Sequence, residues 1–149
     1  MTLTVEVAMA GVRIPLARRR VVAIATQVLR AERVGDARIS IVFVRNRAIA
    51  SLNRVHLGHR GATDVICFAL SGGGSRSFVA ADIYIAPGVT RDNARRYGSG
   101  LREELARLVV HGVLHGVGWD HPDGAARTVS PMWRRQERLV GRVIGEGGR

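Results

Sequence analysis

Three of the five histidines in this 149-residue chain fall within eleven residues, in the segment HGVLHGVGWDH. His111 and His115 are four positions apart, so on a helix they stand one turn apart on the same face. Gly116 and Gly118 predict the end of that helix, because glycine readily takes the left-handed conformation that ends one. The chain then turns back and offers His121. The spacing predicts a site for one divalent metal ion, with zinc favoured.

Three neutral imidazoles leave one tetrahedral position of a zinc ion free, as catalytic zinc sites do. Zinc lowers the pKa of a water bound there to about 7, so hydroxide forms near neutral pH. The alternative is three ordinary histidines, exposed or satisfied by backbone partners. Their clustering and spacing favour the metal site over this alternative.

The same spacing, His-x3-His-x5-His, occurs in metzincin metalloproteases. Those enzymes need a glutamate directly after the first histidine as the general base. Gly112 occupies that position here, and its lack of a carboxylate disfavours a protease. Without that base, hydroxide on the metal acts alone, or the substrate supplies the nucleophile, as the 2′-hydroxyl of RNA would.

The charge of the chain points to a polyanionic partner. The net charge is +11, and all 23 basic residues are arginine. Guanidinium groups bind phosphate oxygens in pairs, and neutralising a nucleic acid backbone releases counterions. A coding bias explains the missing lysine, but it does not explain the excess of positive charge. Nucleic acid is therefore the favoured partner class.

Length and composition predict one folded domain over residues 1–149, since 46% of the residues are hydrophobic and 23% charged. No apolar run approaches the roughly 20 residues that span a bilayer, and the N-terminus does not resemble a signal peptide. Cys67 is the only cysteine, so an intramolecular disulfide is excluded. We expect a cytoplasmic protein without a membrane or disulfide partner.

Hydrophobic periodicity predicts alternating strands and helices in the first half of the chain, and helices in the second half. A glycine-rich hairpin loop is predicted at SGGGS, residues 71–75. Ser130 is the predicted N-cap of the last helix, with Pro131 at its first position. This order predicts an α+β fold, with a small four-stranded mixed sheet packed with helices and the metal site on a helix and the following turn. The predicted strands are 2–8, 37–44, 64–70 and 78–85, and the predicted helices are 13–32, 46–57, 90–97, 101–116 and 131–143.

Several motifs, in order, resemble those of the YbeY family of rRNA maturation endoribonucleases. The segment HGVLHGVGWDH is similar to the family signature HGxLHLxGyDH, and TDVICF at 63–68 is similar to TDVLSF. LN at 52–53, ADIYI at 81–85 and MWRRQE at 132–137 also agree with family motifs. The resemblance covers residues from about 40 to 140.

This resemblance implies an α+β fold with one zinc ion on His111, His115 and His121. It also implies a single-strand-specific endoribonuclease, acting in small-subunit rRNA 3′-end processing and ribosome quality control. The implied partners are a ribosomal RNA precursor, the small ribosomal subunit, a small-subunit ribosomal protein and an Era-type GTPase.

Two further candidate site residues follow from the resemblance. Thr63 and Asp64 match the family's TD pair, where Asp64 either orients a ligand or substrate from the strand rim or anchors the loop before the strand. Family members carry Tyr-Arg four and five residues after the leucine of LN, and that arginine is implied at the active site. Those positions are His56 and Leu57 here. Arg60, three residues on, either replaces the arginine or is one more surface charge.

Other departures from the family pattern are interpreted as packing changes. Gly116 stands in place of the usual leucine, Ala81 in place of glycine and Cys67 in place of serine. Cys67 is read as a small buried residue rather than a nucleophile. Asp120 either accepts a ring proton from a histidine ligand or is a solvated turn residue.

The remaining basic residues form clusters at 18–20, at 91, 95 and 96, and at 134 and 135. These clusters either line an RNA groove or form solvated helix faces. Trp119 or Trp133 would offer a stacking face for a base, although a tryptophan on the last helix is more often a core residue.

Two alternative functions remain open. One is a non-catalytic ribosome assembly factor in which zinc only fastens the helix end, and the missing arginine at Leu57 favours it. The other is a metalloprotease, which Gly112 disfavours.

Overall fold

Four strands form one mixed sheet in the order β1-β2-β4-β3 in the computed structural model, which describes residues 1–71 and 75–147. The strands are β1 (Leu3–Ala10), β2 (Asp36–Val44), β3 (Val65–Ala69) and β4 (Phe78–Ile85). β1, β2 and β4 run parallel, and β3 pairs antiparallel with β4. The middle glycines of the predicted hairpin loop, residues 72–74, lie outside the described residues.

Five α-helices and one short 3-10 helix accompany the sheet in the described part of the chain. They are α1 (Arg18–Ala31), α2 (Asn46–Leu57), α3 (Pro87–Tyr97), α4 (Leu101–Val117), the 3-10 helix (Gly124–Val129) and α5 (Pro131–Gly147). The predicted α+β fold with a four-stranded mixed sheet is confirmed. Of the described helices, none has the length and apolar character needed to cross a membrane.

Several predicted boundaries were wrong, and those at the starts of α1 and α3 involve proline. β1 also ends at Ala10 and not at residue 8, and α5 continues to Gly147 and not only to residue 143. α1 begins at Arg18 and not at residue 13, because a residue before proline avoids the helical region and Pro15 follows Ile14. α3 begins at Pro87 and not at residue 90. Proline has no backbone N–H, and it fits the first turn of a helix because N–H groups there have no partner within the helix. Gly116 does not end α4, which continues through Val117.

The sheet buries its two faces unequally. Alternate residues of β2 and β4, such as Ile41 and Ile83, face a large core shared with α1, α4 and α5. Their neighbours face a smaller cluster under α2 and α3, built on Val44, Ile49, Ile66 and Ala86. α4 therefore lies against the large core, where its histidines are held by many fixed contacts.

Two glycines let α4 approach the sheet closely. A Cβ atom on Gly112 would lie 2.8 Å from Cγ2 of Ile83, and one on Gly116 would lie 2.8 Å from Cβ of Ala81. Gly116 and Ala81 are both departures from the family pattern, and their contact couples them: the methyl group at 81 occupies the space that a side chain at 116 would need. The helix ends at Gly118, whose φ of 123° lies in the region that favours glycine.

Candidate metal centre

The three histidines of the sequence motif converge in the structure. His111 and His115 lie on α4, and His121 lies four residues after the helix ends. The ring centroids are 4.6 Å apart for His111 and His115, 4.9 Å for His115 and His121, and 5.2 Å for His111 and His121. One nitrogen from each ring lies within 4.8 Å of the other two. The turn at Gly118 thus brings His121 to the other histidines, as the spacing predicts.

In each of the three rings, the Nδ1 atom makes a hydrogen bond to an oxygen atom. His111 Nδ1 donates to Oε1 of Gln136 at 2.6 Å, and His115 Nδ1 donates to the carbonyl oxygen of Trp119 at 2.9 Å. His121 Nδ1 donates to the carbonyl oxygen of Pro122 at 2.9 Å. Because these oxygens only accept, each Nδ1 carries the proton and each Nε2 keeps its lone pair for a metal ion.

Burial keeps the two helical histidines neutral. It lowers the pKa of His111 to about 3, and the charges of His115 and Arg127 add to the effect. Burial also lowers the pKa of His115, with a contribution from the charge of His121. A neutral imidazole whose Nδ1–H is hydrogen-bonded to an oxygen atom can bind zinc through Nε2, so the three histidines fit the ion.

His111 is held by a chain of polar contacts that reaches across to α5. Gln136, which accepts from His111, donates through Nε2 to Oε2 of Glu137 at 3.1 Å. Glu137 pairs with Arg107, whose NH2 lies 2.9 Å from Oε1. The hydrogen bond to Glu137 is the main cause that raises the pKa of Arg107. The ring of His111 is therefore fixed through two helices.

His115 is held through Trp119, and Trp119 through a buried carboxylate. Trp119 Nε1 donates to Oε1 of Glu32 at 2.5 Å, and Glu32 also pairs with Arg135 at 2.7 Å and Arg76 at 3.3 Å. Burial raises the pKa of Glu32, but the hydrogen bonds from Trp119 and Arg135 outweigh it and leave the pKa below its usual value. This network, which was not predicted from the sequence, joins α1 and α5 to the turn after α4.

An open cleft of about 530 Å³ lies over the three histidines. Asp64, a predicted site residue, lines this cleft. Burial raises the pKa of its carboxyl group, against the charge of Arg127 and hydrogen bonds from the Val65 backbone and the Thr63 side chain. Both interpretations of Asp64 thus have a structural basis, since the carboxyl group borders the cleft and also anchors the start of β3.

Arg60, the other predicted site residue, lies elsewhere. It is exposed and lines a neighbouring depression on α2 with Arg47 and Arg54. Leu57, at the position of the family arginine, lines the cleft, and so does Arg127 from the 3-10 helix. A role for Arg60 at the site stays a prediction. Arg127 escaped notice because it lies in a segment of weak periodicity with no motif.

Two other residues, Cys67 and Asp120, also line the cleft. Burial, together with the charge of Asp82, raises the pKa of the Cys67 thiol to about 12, so the sulfur is protonated at neutral pH and is a poor nucleophile. Asp120 is exposed and accepts the backbone N–H of His121 at 2.8 Å. The ring protons of the histidines go to other acceptors.

Comparison with known proteins gives a consistent result. The family model described as Endoribonuclease YbeY matches residues 10–143. An Endoribonuclease YbeY from Pelotomaculum thermopropionicum is 38% identical over 125 residues, which cover 80% of this chain and 81% of that relative. One from Thermotoga maritima is 31% identical, over 76% of this chain and 72% of the relative. A solution structure of a Thermotoga maritima protein superposes with a TM-score of 0.66 at 25% identity, covering 96% of this chain and 91% of that one.

Proposed function

Because this chain belongs to the YbeY endoribonuclease family, we propose that it is a zinc-dependent endoribonuclease that cleaves single-stranded RNA in ribosomal RNA maturation. The observation that carries the proposal is the convergence of three imidazoles, each with its Nδ1 bonded to oxygen, under an open cleft. A ligand set that leaves one position open is typical of catalytic rather than structural zinc.

The proposal extends to the biological setting. We propose that the substrate is a ribosomal RNA precursor in the cytoplasm, cleaved during 3′-end processing and quality control of the small ribosomal subunit. The net charge of +11 supports a polyanionic substrate. The proposed protein partners are a small-subunit ribosomal protein and an Era-type GTPase.

In this proposal the chain's own residues divide the chemical work. His111, His115 and His121 would hold the ion, and the hydrogen bonds made by their Nδ1 atoms orient the three rings. When bound, the ion supplies a Lewis acid that polarises a phosphate oxygen and lowers the pKa of water. The attacking hydroxyl group loses its proton as it bonds to phosphorus, and the departing oxygen takes one from solvent.

In this proposal Asp64 takes the proton of the attacking hydroxyl group. Its carboxyl group borders the cleft, and burial raises its pKa above the value of a free aspartate. A base whose pKa is moved toward neutrality accepts a proton more effectively than an ordinary surface carboxylate. Arg60, on the neighbouring depression, would contact the RNA backbone outside the cleft.

A direct test compares His115→Ala with the control His59→Ala, which removes an exposed histidine outside the cleft. We expect the wild type and the control to bind one zinc ion per chain by mass spectrometry and to cleave labelled single-stranded RNA. His115→Ala should lose both properties while its circular dichroism stays native. Duplex RNA of the same sequence should be cut far more slowly.

The second candidate function is a ribosome assembly factor without nuclease activity. Leu57 favours it, because the position of the family arginine carries no charge in this cleft. If purified wild-type protein loaded with zinc leaves single-stranded RNA intact, the nuclease proposal is wrong and the assembly factor takes its place.

A further inference from the structure

A second cavity lies beside the histidine cleft. Its volume is about 660 Å³, within the range of small-molecule binding sites. We call it the Trp133 groove and define it by six of its lining residues: Asn93, Tyr97, Glu104, Arg127, Trp133 and Glu137. Asp64 and Arg127 line both cavities, so the groove adjoins the histidine cleft.

Arg127 stands between the two cavities, where its charge acts on Asp64 without forming an ion pair with it. Among the described residues, no carboxylate lies within the 4.0 Å of an ion pair from its guanidinium group. Its Nε atom is buried and has no hydrogen-bond partner. A buried donor without an acceptor is costly, so a guanidinium held in this way has free capacity for an anion such as a phosphate group.

Two aromatic side chains, Tyr97 and Trp133, line the same groove. The guanidinium carbon of Arg127 is 5.9 Å from the centroid of the Trp133 ring, which is half-buried. Tyr97 is 77% exposed, so its ring is accessible to a partner. Unpaired RNA bases stack on aromatic side chains and on arginine.

The charged residues of the groove indicate how a nucleotide would be oriented in it. Arg107 within it is neutralised by Glu103, Glu104 and Glu137, so the free positive charge is at the Arg127 end. The carboxylates of Glu104 and Glu137 line the groove, where they would repel a phosphate but accept hydrogen bonds from a base amino group. A nucleotide therefore fits with its phosphate at Arg127 and its base toward Trp133.

We propose that the Trp133 groove binds the nucleotide next to the scissile phosphate of single-stranded RNA, with Arg127 on its phosphate and Trp133 and Tyr97 against its base. This inference rests on the proposed function for the identity of the substrate. Arg127 thereby supplies, from the 3-10 helix, the phosphate-binding guanidinium that α2 lacks at Leu57. A double-stranded substrate could not use the groove, because its bases are stacked on one another.

The first experiment measures binding and not cleavage. Metal-free protein is titrated into a fluorescein-labelled single-stranded RNA of about ten nucleotides, and fluorescence anisotropy reports the dissociation constant. Tyr97→Ala and Trp133→Leu should each weaken binding about tenfold, the order expected for one lost base stack. Arg127→Ala should weaken it at least as much and reduce the slope against salt concentration by about one.

Matched controls separate the groove from general effects of charge and apolar surface. Arg38→Ala removes an exposed arginine on β2, and Phe78→Ala removes a half-exposed aromatic ring on β4. Both should bind RNA within about twofold of the wild type. If Trp133→Leu fails to fold, Tyr97→Ala decides the test, because its side chain is mostly in solvent.

A second experiment locates the base directly. RNA carrying 5-iodouridine is irradiated with the metal-free wild-type protein, and the crosslinked peptide is identified by mass spectrometry. The inference requires crosslinks at Trp133 or Tyr97. Crosslinks only outside the groove, or groove variants that bind as well as the controls, would overturn it.

The outcome is distinguishable from a failure of the proposed function. If the zinc-loaded wild type cleaves RNA while the groove variants bind normally, the nuclease proposal stands and the groove assignment is wrong. If the groove variants lose binding while the wild type cleaves nothing, the groove is an RNA site on a protein without nuclease activity.

Discussion

The histidine site has two halves that are built in different ways: the helix half consists of His111 and His115, and the turn half consists of His121. His111 and His115 lie on α4, packed against the large core, and their rings are tied through Gln136 and Trp119 into networks that reach other helices. His121 lies in an exposed segment, and its ring donates only to the carbonyl oxygen of its neighbour Pro122.

This difference concerns how the three candidate ligands are held. The core orients His111 and His115 without an ion, so little conformational freedom would be lost at those positions on binding one. His121 and Arg127 lie in a mostly exposed segment, where backbone is generally more adjustable than in a packed helix. Rigidity thus belongs to the helix half, and adaptability belongs to the turn half.

The largest expected effect comes from forcing a side chain into the helix half. Gly112→Glu introduces the glutamate of the metzincin pattern where a Cβ would lie 2.8 Å from Ile83. We expect more than about 4 kcal/mol of destabilisation, from overpacking and a buried, unpaired carboxylate. Urea denaturation measures it. Gly141→Glu on α5, where a Cβ meets nothing within 4 Å, should be tolerated.

Glu32→Gln tests the network behind His115 and has a characteristic pH dependence. The pKa of Glu32 is lowered in the folded state, so its contribution to stability is present above the unfolded pKa near 4.5 and disappears as the pH falls through the folded value. At pH 7 we expect a loss of about 3 kcal/mol, the order found when one partner of a buried ion pair is removed.

The check is the free energy of unfolding of the metal-free wild type and of Glu32→Gln between pH 7 and pH 3. The difference between the two proteins should be constant down to about pH 5 and shrink below pH 4.5. A difference that grows as the pH falls would contradict the assigned direction of the pKa shift.

Alanine substitutions in the two halves should lower the free energy of unfolding by different and smaller amounts. In metal-free protein His111→Ala should cost about 2 kcal/mol, because it leaves a cavity and removes the hydrogen-bond partner of Gln136 Oε1. His121→Ala should cost less than about 0.5 kcal/mol, as expected for a site with few contacts. Both variants should lose zinc binding. Equal costs in thermal unfolding would show that the halves do not differ.

Local signals predicted most of the fold. α2 and β4 have the predicted bounds, because each has clear periodicity and a clear start. Ser130 was also predicted as the N-cap of α5, and its hydroxyl oxygen accepts the backbone N–H of Trp133 at 3.2 Å. The error at α1 arose where Pro15 overrides an apolar pattern, and the error at α3 arose because Pro87 begins the helix.

The site was only partly predictable, for a physical reason. The histidines are close in sequence, and their spacing is a helical signal in itself. Glu32 meets the site through Trp119, 87 positions further along the chain, and Arg127 meets Asp64 across a separation of 63 positions. No local pattern encodes such contacts, and Arg127 is one arginine among 23 basic residues.

The most direct test of the metal centre is long-range ¹H–¹⁵N NMR of the histidine rings, recorded while zinc is added to the metal-free protein. We expect His111, His115 and His121 to carry their proton on Nδ1 before the addition. Their three Nε2 signals should then shift together and saturate at one equivalent of zinc, while those of His56 and His59 stay unchanged. Binding through Nδ1, or a shift of fewer than three rings, would contradict this account.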